Sequence, residues 1–91
     1  MKVSEAYITR HYDNDSAEHE ATAPAGDLTI EELTAIARDY AKMTARDDSY
    51  FRTMTMDELA DVQISENLID ISFTFTEGDF STDITVTFVA R

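Results

Sequence analysis

Asp13, Asp15, Glu18, His19 and Glu20 crowd carboxylate and imidazole groups into eight residues, so the first chemistry the chain raises is divalent-metal binding. A calcium loop needs its oxygen ligands at set positions and a glycine at the sixth, where the backbone turns sharply. Counted from Asp13, Ala17 falls on a ligand position and Glu18 on the glycine, so the segment reads instead as a solvated acidic loop. Zinc fits no better, because His11 and His19 match no common ligand spacing and the chain has no cysteine. The expectation is no metal and no cofactor.

Acid–base hydrolysis is the second candidate. The adjacent carboxylates Asp47 and Asp48, or Glu31 and Glu32, belong to the right residue type. Neighbours in sequence on a helix or turn point apart, however, whereas acid–base work needs them converging on one bond. The only glycines, Gly26 and Gly78, cannot make a phosphate-binding loop, and no nucleophile has a recognisable base. A non-catalytic protein is expected. Tyr40, Tyr50 and Phe51, flanked by Arg46 and Arg52, have the types for base stacking, but the overall charge opposes nucleic acid and packing is the better account.

What remains is charge. Nineteen acids against seven bases give a net charge of -12, beyond the magnitude of roughly 2 to 8 that suits the solubility of a small domain. Such a surface repels nucleic acid and anionic membranes and favours a basic protein partner. Residues 28 to 52 are nearly balanced, with five acids and four bases, while residues 53 to 91 carry eight acids and one base. Three acidic clusters are the candidate partner-binding residues: Asp13, Asp15, Glu18 and Glu20; Asp57, Glu58 and Asp61; and Asp70, Glu77, Asp79 and Asp83. Carboxylates two apart on a strand lie about 6.6 Å from each other, within a few ångströms of the spacing of charges along a nucleic-acid strand.

The elements that would carry these clusters follow from periodicity. Residues 2 to 12 read as a strand, and residues 13 to 27 as a mobile acidic loop containing the single proline. Thr29 and Glu32 have capping-box spacing, with Leu28 and Leu33 placed as a staple, so a helix is expected from Ile30 to about Arg46. Its packing side holds Leu33, Ile36, Ala37, Tyr40 and Thr44, and its wet side Glu31 with the basic stripe Arg38, Lys42 and Arg46, read as solvated helix charge. Thr55 and Glu58 repeat the capping spacing after Met54, which predicts a second short helix from Met56 to about Asp61, followed at Val62 to Ser65 by a short strand or an extended lead-in to the next element.

Leu68 to Val89 is a β-hairpin turning at Glu77 and Gly78. Ile69, Ile71, Phe73 and Phe75 face the same side as Phe80, Ile84, Val86 and Phe88 only if the loop has an even number of residues, with Phe75 opposite Phe80, Ile71 opposite Ile84 and Ile69 opposite Val86. The other side carries Asp70, Ser72, Thr74, Thr76, Ser81, Asp83, Thr85 and Thr87, suited to water or a partner. The expected fold is α+β in a single domain of 91 residues: a two-layer sandwich, β-α-(α)-β-β, with a three-stranded, mostly antiparallel sheet on one main helix and the first strand paired to the last.

In size, acidity, absence of catalytic motifs and α/β plan, the chain resembles the small phage-encoded inhibitors, anti-CRISPR proteins above all, several of which act as DNA mimics. The resemblance implies a protein that blocks a host nucleic-acid-binding complex by occupying its groove. It also implies host cytoplasm as the location, in keeping with a start, Met1-Lys2-Val3-Ser4-Glu5, that lacks a signal peptide's apolar core. The competing expectation is an acidic interaction or assembly module, such as a homodimer through an open sheet edge or through the Ser/Thr-rich face, whose charge serves solubility or adaptation to high salt.

Overall fold

A computed structural model describes all residues, 1–91. The chain forms β1 (Val3–His11), β2 (Ser16–Ala21), α1 (Ile30–Arg46), β3 (Thr55–Ser65), β4 (Leu68–Glu77) and β5 (Phe80–Ala90). The five strands make one sheet in the order β2-β1-β5-β4-β3, every neighbouring pair antiparallel. The sheet therefore has five strands rather than the expected three, and one helix rather than two. β1 does pair with β5, which joins the first half of the chain to the second. No helix is long and apolar enough to cross a membrane.

Both corrections lie on edge strands. Residues 13 to 27 are not one loop, because Ser16–Ala21 pairs with β1, Glu18 opposite Thr9 and Glu20 opposite Tyr7. An edge strand needs only backbone partners on one side, so β2 carries no apolar row to reveal it. Residues 56 to 61 are not helical. β3 steps from Met56, opposite Phe75, to Ala60, opposite Phe73, four residues against the partner's two. The surplus residues of this irregularity put apolar side chains at the i, i+4 spacing of a helix. Asp57 Oδ1 accepts the Leu59 amide at 3.0 Å inside the bulge, a local turn bond in place of the expected Thr55–Glu58 capping box.

The β4–β5 hairpin keeps the expected odd-even parity but slides by two residues. Its loop is Gly78–Asp79, so Glu77 opposes Phe80, Phe73 opposes Ile84 and Ile71 opposes Val86. Gly78 sits at φ 61°, a conformation glycine adopts without the Cβ penalty and one that two-residue hairpin turns require at their first position. Turn geometry thus outweighs the aromatic match of Phe75 with Phe80. Phe75 pairs instead with Thr82, while Phe80 packs edge-on to Tyr50 at 6.1 Å.

α1 starts with the expected capping box: the Thr29 hydroxyl accepts the Glu32 amide at 3.1 Å, and the Glu32 carboxylate accepts the Thr29 amide at 3.0 Å. Leu33, Ala37, Ala41 and Ala45 form its buried row. Small residues on the helix let it approach a sheet whose inner face is bulky, with Phe73, Phe75, Phe88, Ile69, Ile71, Ile84 and Val86 all buried. α1 packs over β5, β4 and β3, on one face only. The basic stripe is divided: Lys42 and Arg46 are exposed, whereas Arg38 is half-buried, its guanidinium 5.6 Å from the Phe73 ring centre and 3.7 Å from the Glu58 carboxylate.

Just past the helix, Asp48 ties α1 to β1. Its Oδ2 accepts the Arg10 guanidinium at 3.0 Å and the Tyr12 hydroxyl at 2.5 Å, and its Oδ1 accepts the Tyr50 amide at 2.8 Å. Burial alone would raise the Asp48 carboxyl, but these three donors outweigh it and hold the group below its ordinary value. Tyr12, Tyr50 and Phe51 stack around this junction, with Phe51 fully buried against Phe75, so these aromatics serve packing.

Candidate functional site

With the helix confined to one side, the other face of the sheet lies open. Period-two alternation and antiparallel register decide what it displays. Reading across from β2 to β3, one row runs Glu20, Tyr7, Thr87, Asp70, Gln63, and the next runs Glu18, Thr9, Thr85, Ser72, Asp61. Glu5 flanks the rows on β1, and Asp83 beside Thr74 flanks them on the other side. At about 4.8 Å per strand this surface is roughly 19 Å across. It presents Glu5, Glu18, Glu20, Asp61, Asp70 and Asp83 among threonines and serines, and its two rows contain no lysine or arginine. Arg10 is on the helix side of β1, Arg38, Lys42 and Arg46 are on α1, and Arg52 follows it; Lys2 and Arg91 adjoin at the chain ends, where Arg91 continues the open-face parity of Thr87 and Val89.

Several of these carboxylates are held in place by neighbours on the same face. The Thr87 hydroxyl donates to Asp70 at 2.6 Å, the Thr74 hydroxyl to Asp83 at 3.2 Å, and the Tyr7 hydroxyl to Glu5 at 2.6 Å. Ser72 and Thr85 bond to each other at 2.8 Å between the acidic positions. Each donor satisfies part of a carboxylate and fixes its direction, leaving its remaining acceptor sites for a partner. Tyr7 registers the resulting field: its hydroxyl is pushed up to about 12, first by the bond to Glu5, then by desolvation and the charges of Glu5, Glu20 and Glu18.

The middle of the face is a shallow polar recess of about 320 Å³ lined by Thr9, His11, Asp61, Gln63, Asp70, Ser72 and Thr85. His11 Nε2 lies 3.4 Å from the Thr85 hydroxyl. No three histidine, aspartate or glutamate side chains converge as ligands for a metal ion. A second cavity, about 360 Å³, separates β1 and β2 from α1, where Arg10, His19 and Asp47 line it with Ile8, Tyr40 and Met43. Its charges are mixed in sign, and it lacks the single electrical character of the open face.

Of the candidate residues, the structure brings Glu18, Glu20, Asp61, Asp70 and Asp83 onto this one face. Asp13 and Asp15 sit in the β1–β2 turn, and Glu77 and Asp79 at the β4–β5 tip, where Glu77 accepts the Thr53 hydroxyl at 2.8 Å. Asp57 and Glu58 belong to the β3 bulge, and Glu58 turns to Arg38 on the helix side. Sequence reasoning missed Glu5, Tyr7, Thr9 and His11. Their signal was the alternation Glu5-Tyr7-Thr9-His11 against Ala6-Ile8-Arg10. Comparison with protein-family models, curated proteins and solved structures finds no match to the chain.

Proposed function

We propose that the protein is a non-catalytic inhibitor that lays its open sheet face into the nucleic-acid groove of a host effector complex, with CRISPR effectors as the class its resemblance names. The observation that carries this reading is the segregation of charge: six carboxylates on one uncovered face, and every lysine and arginine off it except Lys2 and Arg91 at the chain ends. General salt adaptation gives no reason for that segregation. The scale is also suitable. The backbone measures 38 × 22 × 22 Å, and a duplex of that length carries about 22 phosphate charges against the protein's -12. Charge would speed encounter and select a basic groove, and close contacts would set the lifetime.

The experiment is affinity capture from a bacterial lysate, followed by elution with duplex DNA. A nucleic-acid-binding complex released by the duplex is the expected outcome. A partner without a nucleic-acid site, or one held equally well in excess DNA, contradicts the proposal.

A further inference from the structure

The two edges of the sheet are protected unequally. β2 is short, and on its open face any in-phase pairing with a second β2 that overlaps Glu18 and Glu20 sets glutamate against glutamate or Ser16. Like charges directly opposite are destabilising, so this edge resists self-pairing. β3 has no such guard along residues 60 to 65, which contain neither proline nor lysine. Leu59 is 80% exposed, more than any other large apolar residue of the chain, and Ile64 is 59% exposed, equal to Met43 on α1. A bulge blunts only the far end, where Arg38 also takes the Glu58 carbonyl at 3.2 Å.

Register decides what such an edge fits. Ser65 opposite Leu68 closes the two-residue turn of the β3–β4 hairpin, and bonded and non-bonded pairs alternate from there. Ser65, Gln63 and Asp61 therefore direct their backbone groups toward β4, leaving those of Ile64, Val62 and Ala60 pointing outward. An antiparallel copy centred on Val62 uses all three. It sets Val62 against Val62 and Ala60 against Ile64 on the helix side, and Asp61 against Gln63 on the open side. Centring on Asp61 would oppose two aspartates, and centring on Gln63 shortens the ladder.

We propose that the β3 edge pairs with the same edge of a second copy of this chain, forming a two-fold dimer with a continuous ten-stranded sheet. The dyad is perpendicular to the sheet, so both open faces lie on the same side and the acidic surface is doubled. The interface is small and each copy carries a charge of -12, so association is weak, concentration-dependent and strengthened by salt. Gln63 is exposed on the open face, which makes it a register-specific probe with little role in the fold.

Sedimentation equilibrium of the full chain over a range of concentrations, at low and high sodium chloride, tests this. Wild type should dimerise more tightly at high salt. Gln63→Asp should weaken dimerisation about tenfold by opposing Asp61 of the other copy, and Gln63→Lys should tighten it by a similar factor. Circular dichroism controls for folding. A chain that stays monomeric at all salts and concentrations, or a dimer indifferent to both Gln63 variants, overturns the proposal. Either result leaves partner binding by the open face of the monomer untouched.

Discussion

Asp48 shows how one side chain can hold two distant segments of this chain together, since its donors come from β1 and from the turn after α1. Removing it leaves Arg10 beside a buried contact with no acceptor, and Asp48→Ala should destabilise the fold by about 2 kcal/mol in urea unfolding at neutral pH. The pH dependence has a definite sign. The folded carboxyl titrates below its unfolded value of about 3.9, so its contribution is present above about pH 4 and is lost as pH falls through the lowered folded value. Thermal melts of Asp48→Asn should accordingly lack that part of the wild-type acid sensitivity. Tyr7 behaves oppositely: its folded hydroxyl is pushed up to about 12, so stability tied to it is present below about pH 10 and lost as pH rises through about 12. Burial also raises Tyr12, Tyr40 and Tyr50, so Tyr7 is read by difference: phenolate absorbance of Glu5→Gln against wild type should show one tyrosine moved back toward 10.

Packing of α1 on the sheet rests on a row of alanines facing phenylalanine and isoleucine. Ala41→Leu should cost about 1 to 3 kcal/mol through overpacking, read by urea unfolding, because Ala41 has no exposed surface and little room to shift. Gly78→Ala meets no neighbouring atom, so its cost should be the backbone term alone, about 1 kcal/mol. These elements were legible in the sequence because they are covered on one side: α1 announced itself by its cap, and β4 and β5 by alternating Phe and Ile. The edge strands were not. β2 buries little, so Glu18 and Glu20 looked like loop residues, and the Thr55–Glu58 spacing at the β3 bulge imitated a capping box. The hairpin slid by two residues because Gly78 fixes the turn, a preference that matching hydrophobic residues alone does not weigh.

At the scale of the molecule, five of the eleven candidate acids converge because β1–β5 pairing joins the two acidic ends of the chain into one sheet. That convergence could not be read without β2, whose Glu18 and Glu20 complete the face, or without Glu5 on β1. It also refines which acids to reverse. Asp70 accepts from Thr87 and helps order the sheet, whereas Glu18 and Glu20 are exposed and Asp83 has only a long bond to Thr74. Lysine at Glu18, Glu20 and Asp83 should therefore preserve the fold while altering the face. Lysine at Glu31, Asp39 and Asp47 on the helix side changes net charge by the same amount and leaves the face intact. Affinity for the captured nucleic-acid-binding complex, measured across a salt series with both triple variants, is the most direct test of the account. The open-face variant should lose affinity at least tenfold and lose most of the salt dependence, while the helix-side variant stays close to wild type. Equal losses in the two variants would show that net charge, rather than this face, governs binding, and would contradict the account.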